Sequence, residues 1–269
     1  MNKNYLKIGF VALVTAVMYI PTFIWMWGRW FKEESYYSHG ILIPVAVVFL
    51  VLFKKDELKE VRSQIFKPGL FLIILAVLVH LVSAWMKVYF TSGFSLILLI
   101  LGLVLYLLGP VFFRKLLYPI LFLIFMVPMP MVLVTNLTVK MKLFVAETAT
   151  LLLNNLGIPA MRDGSMIRTI HSYMMVEAPC SGLRSLISLL ALGALVAYFM
   201  NTKTIKKWAL VFLSVPIAIS SNIFRVTLLT AAAEIYGGDF AMGWFHDFSG
   251  FLLFFVALIG LMIAKKALE

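Results

Sequence analysis

Cysteine and charge are scarce in this chain. Cys180 is the one cysteine among 269 residues, which excludes an internal disulfide and a Cys-x-x-Cys metal pair. No His-x-x-x-His or His-Glu-x-x-His signature is present, so we expect neither a metal nor another cofactor. Charged residues make up 13% of the chain and hydrophobic residues 63%. These proportions lie outside the range of a soluble domain and indicate a polytopic membrane protein.

Eight apolar stretches are candidates to cross about 30 Å of hydrocarbon as helices that rise about 1.5 Å per residue. They lie at Ile8–Trp27, Gly40–Phe53, Gly69–Met86, Gly93–Gly109, Leu117–Thr135, Gly182–Met200, Trp208–Tyr236 and Phe248–Ala264. The second is short, and the fifth contains Pro119, Pro128 and Pro130, which interrupt helices. The sequence has no internal repeat and no separate soluble segment, so we expect residues 1–269 to form one integral membrane domain.

The net charge of +11 indicates topology rather than nucleic-acid binding, because the basic residues lie mostly in short loops between the apolar stretches. Loops on one side, such as those holding Lys54, Lys55 and Lys203, are richer in Lys and Arg than the loops on the other side. The positive-inside rule then places both termini in the cytoplasm, in agreement with an even number of spans. We expect a multi-pass protein of the cell membrane without a nucleic-acid partner.

The longest stretch between spans runs from Asn136 to Cys180 and is expected on the outer side. Its first half, to Asn155, mixes apolar and polar residues and fits a helix in the membrane interface. A ninth span is the alternative, although it would move Cys180 to the strongly basic side. The second half contains Asp163-Gly164 turn chemistry followed by β-favouring residues up to Tyr173-Met174-Met175-Val176, and it predicts a small outer β-hairpin that leads into Cys180. The predicted fold class is all-α, with about eight transmembrane helices, this interfacial helix and this hairpin.

The lone thiol of Cys180 precedes a long apolar helix. Backbone N–H groups at a helix start favour a thiolate, Ser181 is placed to cap the helix, and Arg184 adds a positive charge one turn further on. Free cysteines in helical cores are often inert packing residues, so that role stays open for Cys180. Its surroundings make it the leading candidate for a nucleophile.

Two further residues have the same expected depth as Cys180. Counting helical residues from the inner-loop lysines at about 1.5 Å each places Cys180, Arg225 and His246 near the outer boundary. An arginine inside an apolar run must face protein, water or a partner, so Arg225 is either an oxyanion clamp or a packing device. A histidine suits proton transfer near neutral pH, although a loop histidine is usually only solvated. His39, at the start of the second span, is the alternative base.

Three elements taken together resemble the exosortase/archaeosortase family. They are Ala178-Pro179-Cys180-Ser181-Gly182-Leu183-Arg184-Ser185, Asn222-Ile223-Phe224-Arg225, and His246. Further elements match in order: Ser38-His39-Gly40-Ile41-Leu42, Val127-Pro128-Met129-Pro130, Gly157-Ile158-Pro159 and Arg162-Asp163-Gly164. The resemblance covers most of the chain.

The resemblance implies a membrane-embedded cysteine transpeptidase or protease with Cys180, Arg225 and His246 as catalytic residues. Supporting or substrate-binding positions are expected at Ser181, Gly182, Arg184, Asn222 and His39. Because the chain stops soon after Lys266, a compact variant without a soluble C-terminal domain is expected.

The substrates implied by the resemblance are exported proteins with a C-terminal sorting signal, which consists of a short motif, a transmembrane helix and a basic tail. Cleavage at the outer face through a Cys thioester would then transfer the product to a lipid or envelope acceptor. Two other classes remain open from the residues alone. One is a transporter with Arg225 lining the substrate path, and the other is a membrane acyltransferase.

Overall fold

The computed structural model describes residues 3–32, 35–177 and 179–269, and the chain is helical through most of them. The α-helices in these ranges are α1 (Lys3–Met18), α2 (Ile20–Trp30), α3 (Leu42–Phe53), α4 (Lys55–Lys59), α5 (Gly69–Trp85), α6 (Tyr89–Leu108), α7 (Pro110–Phe122), α8 (Met131–Asn155), α9 (Leu183–Phe199), α10 (Thr204–Tyr236), α11 (Gly238–Met242) and α12 (Trp244–Leu268). Short 3₁₀ turns occupy Ser38–Ile41, Leu123–Met126 and Pro179–Ser181. The predicted all-α, polytopic class is confirmed.

Three helices of the described chain, α6, α10 and α12, are long and apolar enough to cross a membrane. The number rises to 5 if two broken helix pairs, α1 with α2 and the α7 segment with α8, each count as one span. Shorter apolar helices cover Ser38–Phe53, Gly69–Trp85 and Leu183–Phe199. Each predicted apolar stretch therefore contains helix, but the prediction of eight full spans is not supported. Several helices end or break before they reach the roughly 20 residues that a crossing requires.

Prolines explain the largest departure from the predicted spans. The predicted fifth span, Leu117–Thr135, is wrong as a single helix, because α7 ends at Phe122 and Val127 is extended (φ −82°, ψ 115°). Pro128 and Pro130 offer no backbone N–H, and each disfavours helical dihedrals at the residue before it. Helix α8 therefore begins only after Pro130. The predicted interfacial helix is the later part of α8, and its place relative to the membrane stays a prediction.

The described residues form two compact units, Met1–Pro130 and Met131–Glu269, and the prediction of one domain stays a prediction. In the first unit α5 packs against α6 at close range. A Cβ added at Gly69 would lie 2.5 Å from the backbone nitrogen of Tyr106, and one added at Gly102 would lie 2.9 Å from the backbone nitrogen of Ile73. The two helices approach this closely because neither glycine carries a side chain.

A buried polar cluster also belongs to the first unit. The hydroxyl of Tyr19 lies 2.9 Å from Oγ of Ser95, and Oγ1 of Thr22 lies 2.6 Å from Oγ of Ser92. Ser92 is also 2.9 Å from Nδ1 of His80. Buried polar groups cost stability unless they are hydrogen-bonded, so each of these side chains needs its partner on the neighbouring helix. The cluster therefore holds α2 against α5 and α6. His80 is therefore a hydrogen-bonded core residue.

The second unit contains a small antiparallel sheet with the order β1 (Met161–Asp163), β2 (Met166–Arg168) and β3 (Tyr173–Met175). The predicted hairpin corresponds to β1 and β2, joined through Gly164 at φ +61°. The prediction missed β3 as a third paired strand. It pairs because the backbone N–H of Thr169 donates to the carbonyl of Ser172 at 2.9 Å, which closes a second turn.

The carboxylate of Glu234, near the end of α10, anchors this second turn. It accepts hydrogen bonds from the Thr169 hydroxyl at 2.6 Å and from the His171 backbone N–H at 3.0 Å. Its other oxygen lies 2.7 Å from Nδ1 of His171. Met174 of β3 is buried in the same apolar cluster as Leu229 of α10. The sheet is thus fixed to α10, and β3 leads along the chain towards Cys180.

Candidate active site

Cys180 lies in the 3₁₀ turn that precedes α9 rather than in the first turn of that helix. It is 4% exposed and packs in one apolar cluster with residues of α8 and α10, including Val145 and Val226. The N-cap residue of α9 is Gly182 rather than Ser181, and Gly182 makes no side-chain capping bond. The Ser181 hydroxyl accepts a long hydrogen bond, 3.4 Å, from the backbone N–H of Leu183, the first residue of α9.

Gly182 and Asn222 together shape the turn that carries the thiol. Gly182 adopts a left-handed conformation with φ +80°, which favours glycine. A Cβ at this position would lie 2.6 Å from Cγ of Asn222. That close approach lets Nδ2 of Asn222 donate a 2.9 Å hydrogen bond to the carbonyl oxygen of Cys180. Helix α10 therefore holds the backbone of the nucleophile candidate directly.

His246 lies in the first turn of α12 and faces Cys180. Its Nε2 is 3.1 Å from Sγ of Cys180, a hydrogen-bond distance for sulfur and nitrogen. Its Nδ1 is 3.2 Å from Oδ1 of Asp247. The side chain of His246 is 20% exposed, whereas that of Asp247 is 91% exposed. The imidazole thus has one nitrogen towards a buried thiol and the other towards a solvated carboxylate.

Arg225 projects from α10 towards the start of α12. Its Nη2 donates to the carbonyl oxygen of His246 at 3.0 Å and lies 3.2 Å from Nε2 of the same residue. Its Nε donates to the buried hydroxyl of Ser249 at 3.4 Å. A Cβ at Gly250 would lie 2.9 Å from Nη2, so the absence of a side chain there leaves room for the guanidinium.

The three predicted catalytic side chains therefore converge on one point, Nε2 of His246. A thiol, an imidazole and a guanidinium in contact supply a nucleophile, a proton acceptor and a fixed group of hydrogen-bond donors for a developing negative charge. This combination suits acyl transfer. A model described as transmembrane exosortase matches residues 27–263. The chain belongs to the transmembrane exosortase family.

The match confirms the resemblance predicted from the motifs, and the matched residues include Cys180, Arg225 and His246. No curated protein and no solved structure matches the chain. Family membership itself assigns no role to an individual residue. The contacts of the three side chains are what indicate their roles in this exosortase family member.

Two other predicted site residues have different surroundings. Arg184 lies in the first turn of α9, near enough to Arg225 to act on it electrostatically. Its Nε is buried and has no hydrogen-bond partner among the described residues. His39 belongs to the other compact unit, in the 3₁₀ turn Ser38–Ile41, with its ring centroid 6.0 Å from that of Tyr37. Its role as the alternative base stays a prediction.

The motif around His39 has a packing explanation within the first unit of this exosortase. A Cβ at Gly40 would overlap the indole nitrogen of Trp30. That nitrogen donates a 2.9 Å hydrogen bond to the carbonyl oxygen of Met126, just before the Pro-x-Pro segment. The Ser-His-Gly and Pro-x-Pro elements therefore meet across the Trp30 side chain.

Sequence reasoning missed three residues of the site: Asp247, Ser249 and Gly250. A usable signal was present for two of them. Asp247 directly follows His246, and Ser249 is three residues on, which places it on the same helix face. Gly250 gave no signal, because its importance comes from the space it leaves for Arg225, which approaches from another helix. Across the described residues, no group of three or more His, Cys, Asp or Glu side chains could hold a metal ion, and the expectation of none stays a prediction.

Proposed function

We propose that this exosortase family member is a membrane cysteine peptidase and transpeptidase that processes C-terminal sorting signals. Its substrates would be exported proteins whose C-terminus carries a short motif, a transmembrane helix and a basic tail. The observation that supports this reaction most strongly is the 3.1 Å separation of Cys180 Sγ and His246 Nε2, with the guanidinium of Arg225 in contact with the same nitrogen.

The first half-reaction uses the thiol and the imidazole. Nε2 of His246 takes the Sγ proton of Cys180, and the thiolate attacks the carbonyl carbon of the scissile peptide bond. The tetrahedral intermediate collapses when the C–N bond breaks, and the imidazolium gives its proton to the departing amine. This step leaves the N-terminal part of the substrate as a thioester on Cys180 and releases the part with the membrane helix.

Arg225 contributes electrostatic stabilisation. Its guanidinium stays charged and presents several donors in a fixed plane, so it can move from Nε2 of His246 to the oxyanion that develops on the substrate carbonyl. The buried surroundings of Cys180 strengthen such an interaction because little water competes for the donors. Ser249 and Gly250 hold the guanidinium at the position from which this movement starts.

The second half-reaction decides between hydrolysis and transfer. His246 removes a proton from water or from an amine of a lipid or envelope acceptor, and this nucleophile attacks the thioester carbonyl. The C–S bond breaks, and Cys180 takes back a proton. The positive-inside pattern supports a multi-pass arrangement in the cell membrane with both termini in the cytoplasm and the site facing outwards.

The decisive experiment is co-expression with a tagged membrane protein that has the stated C-terminal features. We expect a shortened product in the presence of the wild-type enzyme and only the full-length protein with Cys180→Ala, measured as intact mass. Thr148→Ala, at a half-buried position of α8 whose hydroxyl donates to the carbonyl oxygen of Phe144 in the same helix, serves as the control and should cleave normally.

Two results would contradict the proposal. One is continued cleavage by Cys180→Ala at a normal membrane level of the enzyme, because no other cysteine can replace the thiol. The other is a lipid attached to Cys180 with no cleaved peptide, which would instead identify an acyltransferase. A thioester between Cys180 and a substrate fragment, trapped by rapid acid quenching and detected by mass, would support the proposal.

A further inference from the structure

The two ring nitrogens of His246 have neighbours of opposite kinds. Nε2 is in contact with two groups that can donate, the thiol of Cys180 at 3.1 Å and Nη2 of Arg225 at 3.2 Å. Nδ1 is 3.2 Å from a carboxylate oxygen of Asp247. Asp247 has no part in the two proposed half-reactions of Cys180, His246 and Arg225.

These neighbours determine where the ring hydrogen lies. A guanidinium has no acceptor atom, so the Arg225 contact is favourable only if Nε2 carries a lone pair. An ionised carboxylate has no donor, so the Asp247 contact is favourable only if Nδ1 carries the hydrogen. Both contacts therefore select the Nδ1–H tautomer. In that tautomer Nε2 carries the lone pair that can take the proton of the Cys180 thiol once the Arg225 guanidinium moves to the substrate oxyanion.

We propose that Asp247 is a positioning residue that holds His246 in the Nδ1–H tautomer and stabilises the imidazolium formed when Cys180 gives up its proton. This inference rests on the proposed function, because it assigns the orientation of the base in that reaction. The backbone around the ring is fixed separately, since the carbonyl oxygen of His246 accepts from Nη2 of Arg225 at 3.0 Å and from Ser249 at 2.8 Å. Arg225 and Ser249 thus fix where the ring lies, and Asp247 fixes which ring nitrogen carries the hydrogen.

A structural role competes with this one, because an acid in the first turn of a helix stabilises the helix N-terminus. The two roles differ in their effect on the thiol. Loss of helix stabilisation affects Cys180 little or equally at every pH. Loss of imidazolium stabilisation lowers the thiolate fraction only where His246 must hold the thiol proton, and the deficit disappears at a pH that ionises the thiol without help.

The charged groups around His246 on the neighbouring elements are few. Arg225 contacts it from α10, Arg184 of α9 acts on Arg225, and Asp239 lies in α11, which packs against α12. Asp239 provides a matched control. Like Asp247 it is an exposed acid in the first turn of a helix, and the described contacts of His246 do not include it.

The test uses the full-length protein in detergent and needs no substrate. Because Cys180 is the sole cysteine, its alkylation by iodoacetamide can be followed by intact mass from about pH 6 to about pH 10. We expect Asp247→Ala and Asp247→Asn to slow alkylation about 3- to 10-fold near neutral pH, with rates that rejoin wild type at the alkaline end. Asp247→Glu should recover part of the loss, and Asp239→Asn should follow the wild-type profile throughout.

The outcomes separate this inference from the proposed function. A neutral-pH loss in the Asp247 variants that closes at high pH supports the positioning role. Wild-type profiles for Asp247→Ala and Asp247→Asn, or a loss of equal size at every pH, overturn it. His246→Ala tests whether His246 acts on the thiol at all. An unchanged alkylation profile in that variant would show that Cys180 and His246 do not work as a pair, and it would contradict the proposed mechanism.

Discussion

The Sγ atom of Cys180 lies 3.1 Å from Nε2 of His246, although 66 residues separate them along the chain. Cys180 lies in the turn just before α9 and His246 in the first turn of α12, and α10 packs against both helices. The pair therefore exists because α10 brings two helix starts together. Residues of α10 that touch either start, Asn222 and Arg225, are the natural positions for mutational tests.

Arg225→Lys should reduce kcat/KM about 100-fold, because it keeps the charge but loses the planar set of donors. The guanidinium reaches His246 through Nη2 and Ser249 through Nε, and a single ammonium cannot occupy both positions. Arg168→Lys is the control, since Arg168 is exposed and its ion pair with Asp163 is long, at 3.8 Å. Near-normal turnover by Arg225→Lys would point to a packing role for Arg225.

Gly250→Ala should separate activity from stability. The added Cβ would lie 2.9 Å from Nη2 of Arg225, and the flexible guanidinium can move away at little cost to the fold. We expect a loss of about 10-fold or more in kcat/KM with the thermal midpoint unchanged or slightly raised, because Ala favours helix over Gly by about 0.5–1 kcal/mol.

The control for that variant lies in the same helix. Gly260→Ala would place its Cβ 3.4 Å from Ile217, an ordinary packing contact away from the site. It should raise the thermal midpoint and leave kcat/KM unchanged. Equal activities of the two variants would show that the position of the Arg225 guanidinium is unimportant for turnover.

Gly182→Ala should destabilise the second unit more than a change of backbone preference alone. At φ +80° an alanine costs about 1–2 kcal/mol, and its Cβ would also lie 2.6 Å from Cγ of Asn222. Gly164→Ala shares the positive φ, +61°, but its Cβ would meet nothing within 4 Å. Thermal unfolding in detergent should therefore show a larger fall in the midpoint for Gly182→Ala, and equal falls would rule out the contact with Asn222 as the cause.

Asn222→Ala should expose the thiol. It removes the 2.9 Å hydrogen bond to the carbonyl oxygen of Cys180 and leaves that oxygen without this donor, at a cost of about 1–3 kcal/mol. We expect faster alkylation of Cys180, which is 4% exposed when the turn is held. Asn154→Ala also breaks hydrogen bonds of an amide side chain, those to Ala160, and should leave the alkylation rate unchanged. Equal rates in the two variants would contradict the bracing role of Asn222.

The prediction succeeded where the signal was local. Apolar stretches gave helices because hydropathy reports the environment of each segment on its own, and the Asp163-Gly164 pair gave the β1–β2 turn. It failed for β3, which depends on its neighbours, because that strand needed the Thr169 turn and Glu234 of α10. The fifth span failed for a different reason: it was assigned through Pro128 and Pro130 although the break that they cause is local and visible in the sequence.

The sequence by itself determined that this is a helical membrane protein with one thiol, and its motifs determined the family. Hydropathy, proline positions and short motifs are properties of neighbouring residues, so they can be taken from the chain directly. Only the tertiary structure decided that His246 contacts Cys180, that Asp247 faces the other nitrogen of the same ring, and that Gly250 makes room for Arg225. These contacts depend on how α9, α10 and α12 pack, and shifts of about 1 Å in that packing decide whether such groups can hydrogen-bond.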